Sequence, residues 1–202
     1  MADGVQFAGL IILAGGQSRR MGRDKALLPL AGEIMVRRVI RRLSLRGKWA
    51  IMVSSNQPEK FPGLEVPVVP DQLLEGGPLA GIHACLETSP CEWNLVTACD
   101  LPFVSGEVAQ QLLALAGSGT WDVVVPVAGN RAHPLFGVYS RRCRRQLEVF
   151  LKGGGRRVTD FLKRAKTRYV SGEFPDKIFF NMNRPEDYYR AIAMEKEIQD
   201  GG

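Results

Sequence analysis

Short apolar runs alternate along this chain with segments whose apolar positions recur every three or four residues. The runs at 7–13, 49–54, 66–69, 93–98 and 121–127 have the length and near-continuous apolarity of strands buried on both faces. Between them, 33–45, 79–88 and 106–116 carry helical spacing. Strand followed by helix, repeated, predicts stacked βα units and a mostly parallel sheet. After residue 133 the rhythm changes. Residues 133–139 read as a strand reached by a short connection, so it is expected to be antiparallel or to lie at the sheet edge. Two basic helices follow at 141–151 and 157–164. A last helix at 185–196 starts with Pro185, and Glu186 and Asp187 complement the positive end of its dipole. No internal repeat and no long low-complexity linker interrupts the pattern. The expected fold class is α/β: one Rossmann-like, three-layer domain over 1–202, with a mostly parallel sheet and an antiparallel edge element.

The first strand runs into Leu13-Ala14-Gly15-Gly16-Gln17-Ser18-Arg19-Arg20-Met21-Gly22-Arg23-Asp24-Lys25. Glycines let backbone N–H groups approach a ligand closely and form an anion-binding nest. Arg19, Arg20, Arg23 and Lys25 bring positive charge to the same turn. Open α/β sheets bind ligands at the carboxyl ends of their strands. The combination asks for a polyphosphate. Neither the Walker pattern nor the dinucleotide G-x-G-x-x-G occurs here.

This loop resembles the opening loop of the nucleotidyltransferases that activate small molecules with a nucleoside triphosphate. Leu-Ala-Gly-Gly-x-Ser-x-Arg-Met-Gly-x-Asp-Lys-Ala is similar in particular to the molybdenum cofactor guanylyltransferases. The resemblance extends over about 7–189. It implies transfer of GMP from GTP to molybdenum-loaded molybdopterin, with magnesium as cofactor. About 7–127 would then bind nucleotide and about 128–196 form the acceptor side. Lys25 and Arg19 would hold the triphosphate, and the backbone at Leu13, Ala14 and Gly15 would hold base and sugar.

A second motif, Val96-Thr97-Ala98-Cys99-Asp100-Leu101-Pro102, ends an apolar strand in a carboxylate. Asp100 is expected at the sheet edge beside the glycine loop. A hard dication prefers carboxylate oxygen and bridges phosphates, and nucleotidyl transfer builds charge that such an ion offsets. The resemblance likewise implies metal binding at Asp100. Pro70-Asp71 follows the short third strand and leads into Gly76-Gly77-Pro78, which matches the family's second nucleotide loop. Asp71 is expected to accept from base or ribose, and Asn56 matches a further nucleotide-contacting position, though an ordinary turn asparagine explains it nearly as well. The residues alone leave the base open; guanine comes from the resemblance. Arg131-Ala132-His133-Pro134 resembles the start of the acceptor-side strand, and His133 reads as a structural hydrogen-bonding residue rather than a catalytic base. Asn181 and Asn183 resemble the family's closing Asn-x-Asn loop and would orient a polar acceptor; helix capping by Asn183 is the plainer alternative.

At 202 residues, with 45% hydrophobic and 24% charged content, the chain fits an ordinary globular domain. No apolar run reaches the ~20 residues of a membrane span. Asp3 and no Lys or Arg precedes the first apolar run, so no signal peptide and a cytoplasmic location are expected. Four scattered cysteines and two histidines argue against a disulfide framework or structural zinc. Cys99 reads as a small apolar residue closing its strand. Between 141 and 168 stand eleven basic and two acidic residues, an excess larger than the whole-chain net charge of +6. Without interleaved aromatics this reads as a solvated face near an anionic substrate rather than a nucleic-acid module. Expected partners are GTP and molybdenum-loaded molybdopterin, with transient contact to cofactor-delivering or recipient proteins and neither nucleic acid nor membrane. Rival readings are a related enzyme using CTP and a non-catalytic GTP-binding protein.

Overall fold

The apolar runs become the strands of one eight-stranded sheet. The computed structural model describes residues 7–15, 24–73 and 76–200. In chain order its elements are β1 (Ala8–Leu13), β2 (Pro29–Leu30), β3 (Glu33–Ile34), α1 (Met35–Ser44), β4 (Trp49–Ser54), β5 (Val68–Val69), α2 (Pro78–Thr88), β6 (Trp93–Ala98), α3 (Gly106–Gly117), β7 (Val123–Ala128), β8 (Arg131–Ala132), β9 (Phe136–Ser140), α4 (Cys143–Lys152), α5 (Val158–Leu162), β10 (Thr167–Ser171) and α6 (Pro185–Asp200). Short 3-10 turns occur at Lys25–Leu27, Pro58–Lys60 and Asp176–Phe179.

The strand order is β10-β7-β9-β6-β1-β4-β5, with β8 beside β7 off that path. β6, β1, β4 and β5 run parallel, as do β10 and β7. The mostly parallel α/β sheet is the one that the strand–helix alternation requires. β9 is antiparallel to both of its neighbours. It lies inside the sheet, and all five of its residues are buried. The outlying antiparallel piece is β8, which pairs with β7 alone.

Successive residues of a strand face opposite sides, and β1 uses both. Leu10 and Ile12 pack into the core shared with α1, α3 and α6, while Ile11 and Leu13 enter the core shared with α2, α4 and α5. Two helical layers around a sheet follow. Among the described residues no helix is long and apolar enough to cross a membrane.

Two elements escape the apolar pattern. The β2–β3 hairpin turns through Ala31 (φ 51°) and Gly32 (φ 78°), both in the left-handed region. A two-residue hairpin of this kind normally advertises itself with Asn-Gly or Asp-Gly. β10 has no buried residue, so no apolar run marks it.

Gly9 lies where β1 crosses the Asn94 side chain. A Cβ there would run into the Asn94 amide, which is fixed by Ser89 Oγ and by the Cys91 carbonyl. Gly9→Ala is expected to destabilise the fold by about 1–3 kcal/mol, as overpacking does. Thermal melting should fall by roughly 2–4 °C per kcal/mol in a chain of this size; an unchanged midpoint would mean that Asn94 moves aside freely.

Candidate active site

Parallel pairing brings the carboxyl ends of four strands level. Leu13 stands in register with Ser54 on one side and with Ala98 on the other, and Ser54 pairs with Val69. The pairing continues past the strands. Cys99 N–H donates to Leu13 O (3.0 Å), Ala14 N–H to Ser54 O (2.9 Å) and Ser55 N–H to Val69 O (3.0 Å). The chain therefore leaves the sheet at one edge in four places, and Gly15, Asn56, Asp71 and Asp100 all lie there. Leu13 and Ala14 are buried and Gly15 is exposed. Arg19 lies outside the described residues.

The turn after the glycine loop is fastened by Asp24. Its Oδ1 accepts from Ala26 N–H (3.1 Å), and its Oδ2 takes the Lys60 ammonium (2.9 Å). This orients Lys25, whose Nζ donates to Asp100 Oδ2 (3.0 Å) and Asn183 Oδ1 (2.7 Å). The Lys25 and Asp100 side chains are only 17% and 14% exposed. Burial pushes the Asp100 carboxyl above the ordinary carboxylate range, opposed by the Lys25 charge. Asp100 Oδ1 is buried with no hydrogen-bond partner among the described residues.

That orphaned oxygen bears on magnesium. No cluster of three or more potential ligand side chains occurs among the described residues. Magnesium usually binds through one or two carboxylates, with waters and substrate phosphates completing its shell. One inward carboxylate oxygen at a sheet edge fits that ion.

Asn56 and Asp71 form a separate pair. Asn56 Nδ2 donates to Asp71 Oδ2 (3.1 Å), and Asp71 N–H donates to Asn56 Oδ1 (2.7 Å). Burial raises the Asp71 carboxyl, and the Asn56 amide pulls it down. They follow β4 and β5, two and three strand spacings from β6. At ~4.8 Å per spacing this is roughly 10–14 Å across the edge from Asp100. The sequence-predicted residues thus gather as Lys25–Asp100–Asn183 and as Asn56–Asp71. Asn181 is exposed.

Asn183 does not cap the last helix with its side chain. Asp187 Oδ2 does so from within the first turn, accepting from the Asn183 and Arg184 N–H groups (3.0 Å each). Two contributing residues, Asp24 and Lys60, carry contacts that the sequence did not lead us to expect, and Asp187, expected only to complement the helix dipole, caps the helix by direct hydrogen bonds. An Asp immediately before a helical turn is a readable cap signal; the reach of Lys60 is not. Cys99 is buried, and burial raises its thiol far above the ordinary value, so it is an inert wall. The basic segment forms α4, α5 and a groove lined by Arg156, Arg157, Lys163 and Arg164 beside the Gly153–Gly155 turn.

An α/β sheet with a part-buried lysine–carboxylate pair at its carboxyl edge is the frame of a nucleotidyltransferase. Residues 10–167 match the family described as the MobA-like NTP transferase domain, and the chain belongs to that family. A probable molybdenum cofactor guanylyltransferase of Pelotomaculum thermopropionicum is 39% identical over 198 residues, 95% of each chain. A molybdenum cofactor guanylyltransferase of Mesorhizobium japonicum is 36% identical, over 91% of this chain and 94% of that one. The crystal structure of molybdopterin-guanine dinucleotide biosynthesis protein A from Archaeoglobus fulgidus is similar with a TM-score of 0.83 at 27% identity, covering 94% of this chain and 99% of that one.

The Asn56–Asp71 pair yields a pH test. The Asp71 carboxyl titrates higher in the folded chain than in the unfolded one, so ionising it costs the folded state. Stability from this group is full below the ordinary carboxylate pKa and is lost as pH rises through the raised value. Asp71→Asn removes the cost and keeps the hydrogen bond to Asn56. Its melting temperature should exceed wild type at pH 7, with the difference vanishing near pH 3. A difference that persists at low pH would place its origin elsewhere.

Proposed function

We propose that this protein transfers GMP from GTP to molybdenum-loaded molybdopterin, releasing pyrophosphate and forming the guanine dinucleotide cofactor. The observation that carries the reading is the Lys25–Asp100–Asn183 convergence at the sheet edge, in a chain similar over nearly its whole length to proteins named for that activity. Lys25 and Arg19 bind the triphosphate. Asp100 would hold magnesium through Oδ1, and the ion, when bound, would neutralise charge on the phosphate oxygens. Asn56, Asp71 and the backbone at Leu13, Ala14 and Gly15 hold base and ribose. Asn181 and Asn183 orient the acceptor.

The attacking group is itself a phosphate, with a second pKa near 6. It is largely dianionic at neutral pH and needs no general base. Catalysis then rests on alignment of two phosphates and on fixed positive charge. Lys25 is suited to this because Asp24 anchors its turn and Asn183 fixes its head from the acceptor side. This chemistry belongs in the cytoplasm, with transient contacts to proteins that deliver or receive the cofactor. The basic face of α4 and α5 attracts anionic substrate rather than nucleic acid.

Mass spectrometry of the product formed from magnesium, molybdenum-loaded molybdopterin and each nucleoside triphosphate in turn tests the reading. A guanine dinucleotide plus pyrophosphate, with GTP preferred over ATP, CTP and UTP, is expected. A cytosine dinucleotide as the main product would make it a cytidylyltransferase, and GTP binding without product a non-catalytic binder. Lys25→Ala should lower kcat by about 10²–10³, the usual loss for one preorganised charge-stabilising group, with far-UV circular dichroism unchanged. Near-normal turnover would remove Lys25 from the mechanism.

A further inference from the structure

On the β9 side of Asp100 stand aromatic rings to which the proposed reaction gives no role. His133 lies in the connection from β8 to β9, and Phe179 ends the Asp176–Phe179 turn. Their rings stack almost parallel, with centroids 3.9 Å apart and planes 16° from each other. Phe136 and Phe174 meet Phe179 edge-on, each at 6.1 Å, with interplanar angles of 75° and 90°. Phe179 is thus clamped by two edges and covered by the imidazole. The His133 backbone is fixed as well: its N–H donates to Pro126 O (2.9 Å), and its carbonyl accepts from Phe136 N–H (3.0 Å). Burial, helped by the Arg131 charge and opposed by a hydrogen bond to the Ala128 backbone, holds the imidazole below its ordinary pKa, which favours the neutral ring. Both rings remain partly exposed.

Short chain segments tie this stack to the centre of the site. Ala98 N–H, two residues before Asp100, donates to Leu135 O, two residues after His133 (3.0 Å). Met182 N–H, three residues after Phe179, donates to Asp100 O (3.0 Å). β9 adjoins β6 on one side, and β1, β4 and β5 lie on the other. The Asn56–Asp71 pair and the His133–Phe179 stack therefore occupy opposite flanks of Asp100. A nucleotide whose base sits at Asn56–Asp71 and whose phosphates reach Lys25 leaves the aromatic flank uncovered.

We infer that the His133–Phe179 stack is a shelf for a flat heteroaromatic ring of the acceptor, taking the aminopyrimidinone ring of a pterin face to face. The identity of the acceptor rests on the guanylyl-transfer reading; the shelf itself rests on ring geometry and position. A flat neutral stack suits such a ring because offset face-to-face packing adds to the area buried. It also gives the enzyme selectivity for a planar acceptor that contacts to phosphate alone cannot supply.

The test titrates 2-amino-4-oxopteridine by its fluorescence, and GTP by calorimetry, on wild type, His133→Leu, His133→Phe, Phe179→Leu and Phe179→Tyr. Losing one base-stacking ring typically weakens binding by roughly 5- to 150-fold. The leucine variants should bind the pteridine about tenfold more weakly and GTP as wild type does. The variants that keep a ring should retain pteridine affinity. Should Phe179→Leu fail to fold, His133→Leu decides. The shelf is overturned by unchanged pteridine affinity in the leucine variants, by equal losses for GTP, or by a wild type that does not bind the pteridine. A wild type that makes the dinucleotide while His133→Leu keeps its KM for molybdopterin sinks the shelf alone. A wild type that binds the pteridine on these rings yet makes no dinucleotide sinks the guanylyl-transfer reading alone.

Discussion

One ammonium group joins three parts of the chain that are remote in sequence. Lys25 reaches Asp100 at the end of β6, 75 residues away, and Asn183 ahead of α6, 158 residues away. A carboxylate as shielded as Asp100 is held above its ordinary pKa by burial, and the lysine is what opposes the loss of its charge. Without that cation the site would lose the largest offset to the cost of keeping this shielded carboxylate charged. The exchange runs both ways, because Asp100 and Asn183 hold the ammonium in one place. Breaking a shielded pair from either side leaves the other member uncompensated.

Much of the surrounding structure serves to present these three groups. Asp24 fastens the Lys25 turn to itself and to Lys60, which follows β4. The last helix buries little of its own surface, Ala191 being its only buried residue. Tyr188, Ile192 and Met194 pack partly buried against the core beside it, and polar contacts add to this hold: Glu195 to the buried Arg38 of α1, and the Tyr188 hydroxyl to the Pro29 carbonyl of the hairpin. Met182 N–H on Asp100 O completes the strap. α6 is thus docked by both apolar and polar contacts, and that docking sets Asn183, just ahead of it, against Lys25.

The strands β4 and β6 were legible to the residue, because both are long apolar runs. The carboxyl-edge position of Asp100 was legible for the same reason: a strand ending in Cys-Asp-Leu-Pro has one place to put its carboxylate. The β2–β3 hairpin was hidden by Ala31, an alanine in a conformation that usually calls for Asn or Gly. β10 was hidden because an edge strand with no buried side chain has no apolar signature. The Lys25–Asp100 contact follows from two motifs leaving neighbouring strands. The Asn183 bond to Lys25, and the cap that Asp187 supplies in its place, depend on how α6 docks, and docking is a tertiary fact that no local pattern carries.

The most direct measurement of the central claim, that Lys25 and Asp100 work as one unit, is a double-mutant cycle on kcat/KM with Lys25→Met, Asp100→Asn and both together. Residues acting as a unit lose most of their effect with the first substitution. The double variant should therefore be about as slow as the slower single variant, and magnesium dependence should be lost whenever Asp100 is replaced. Losses that multiply, or an Asp100→Asn enzyme with wild-type magnesium dependence, would contradict it.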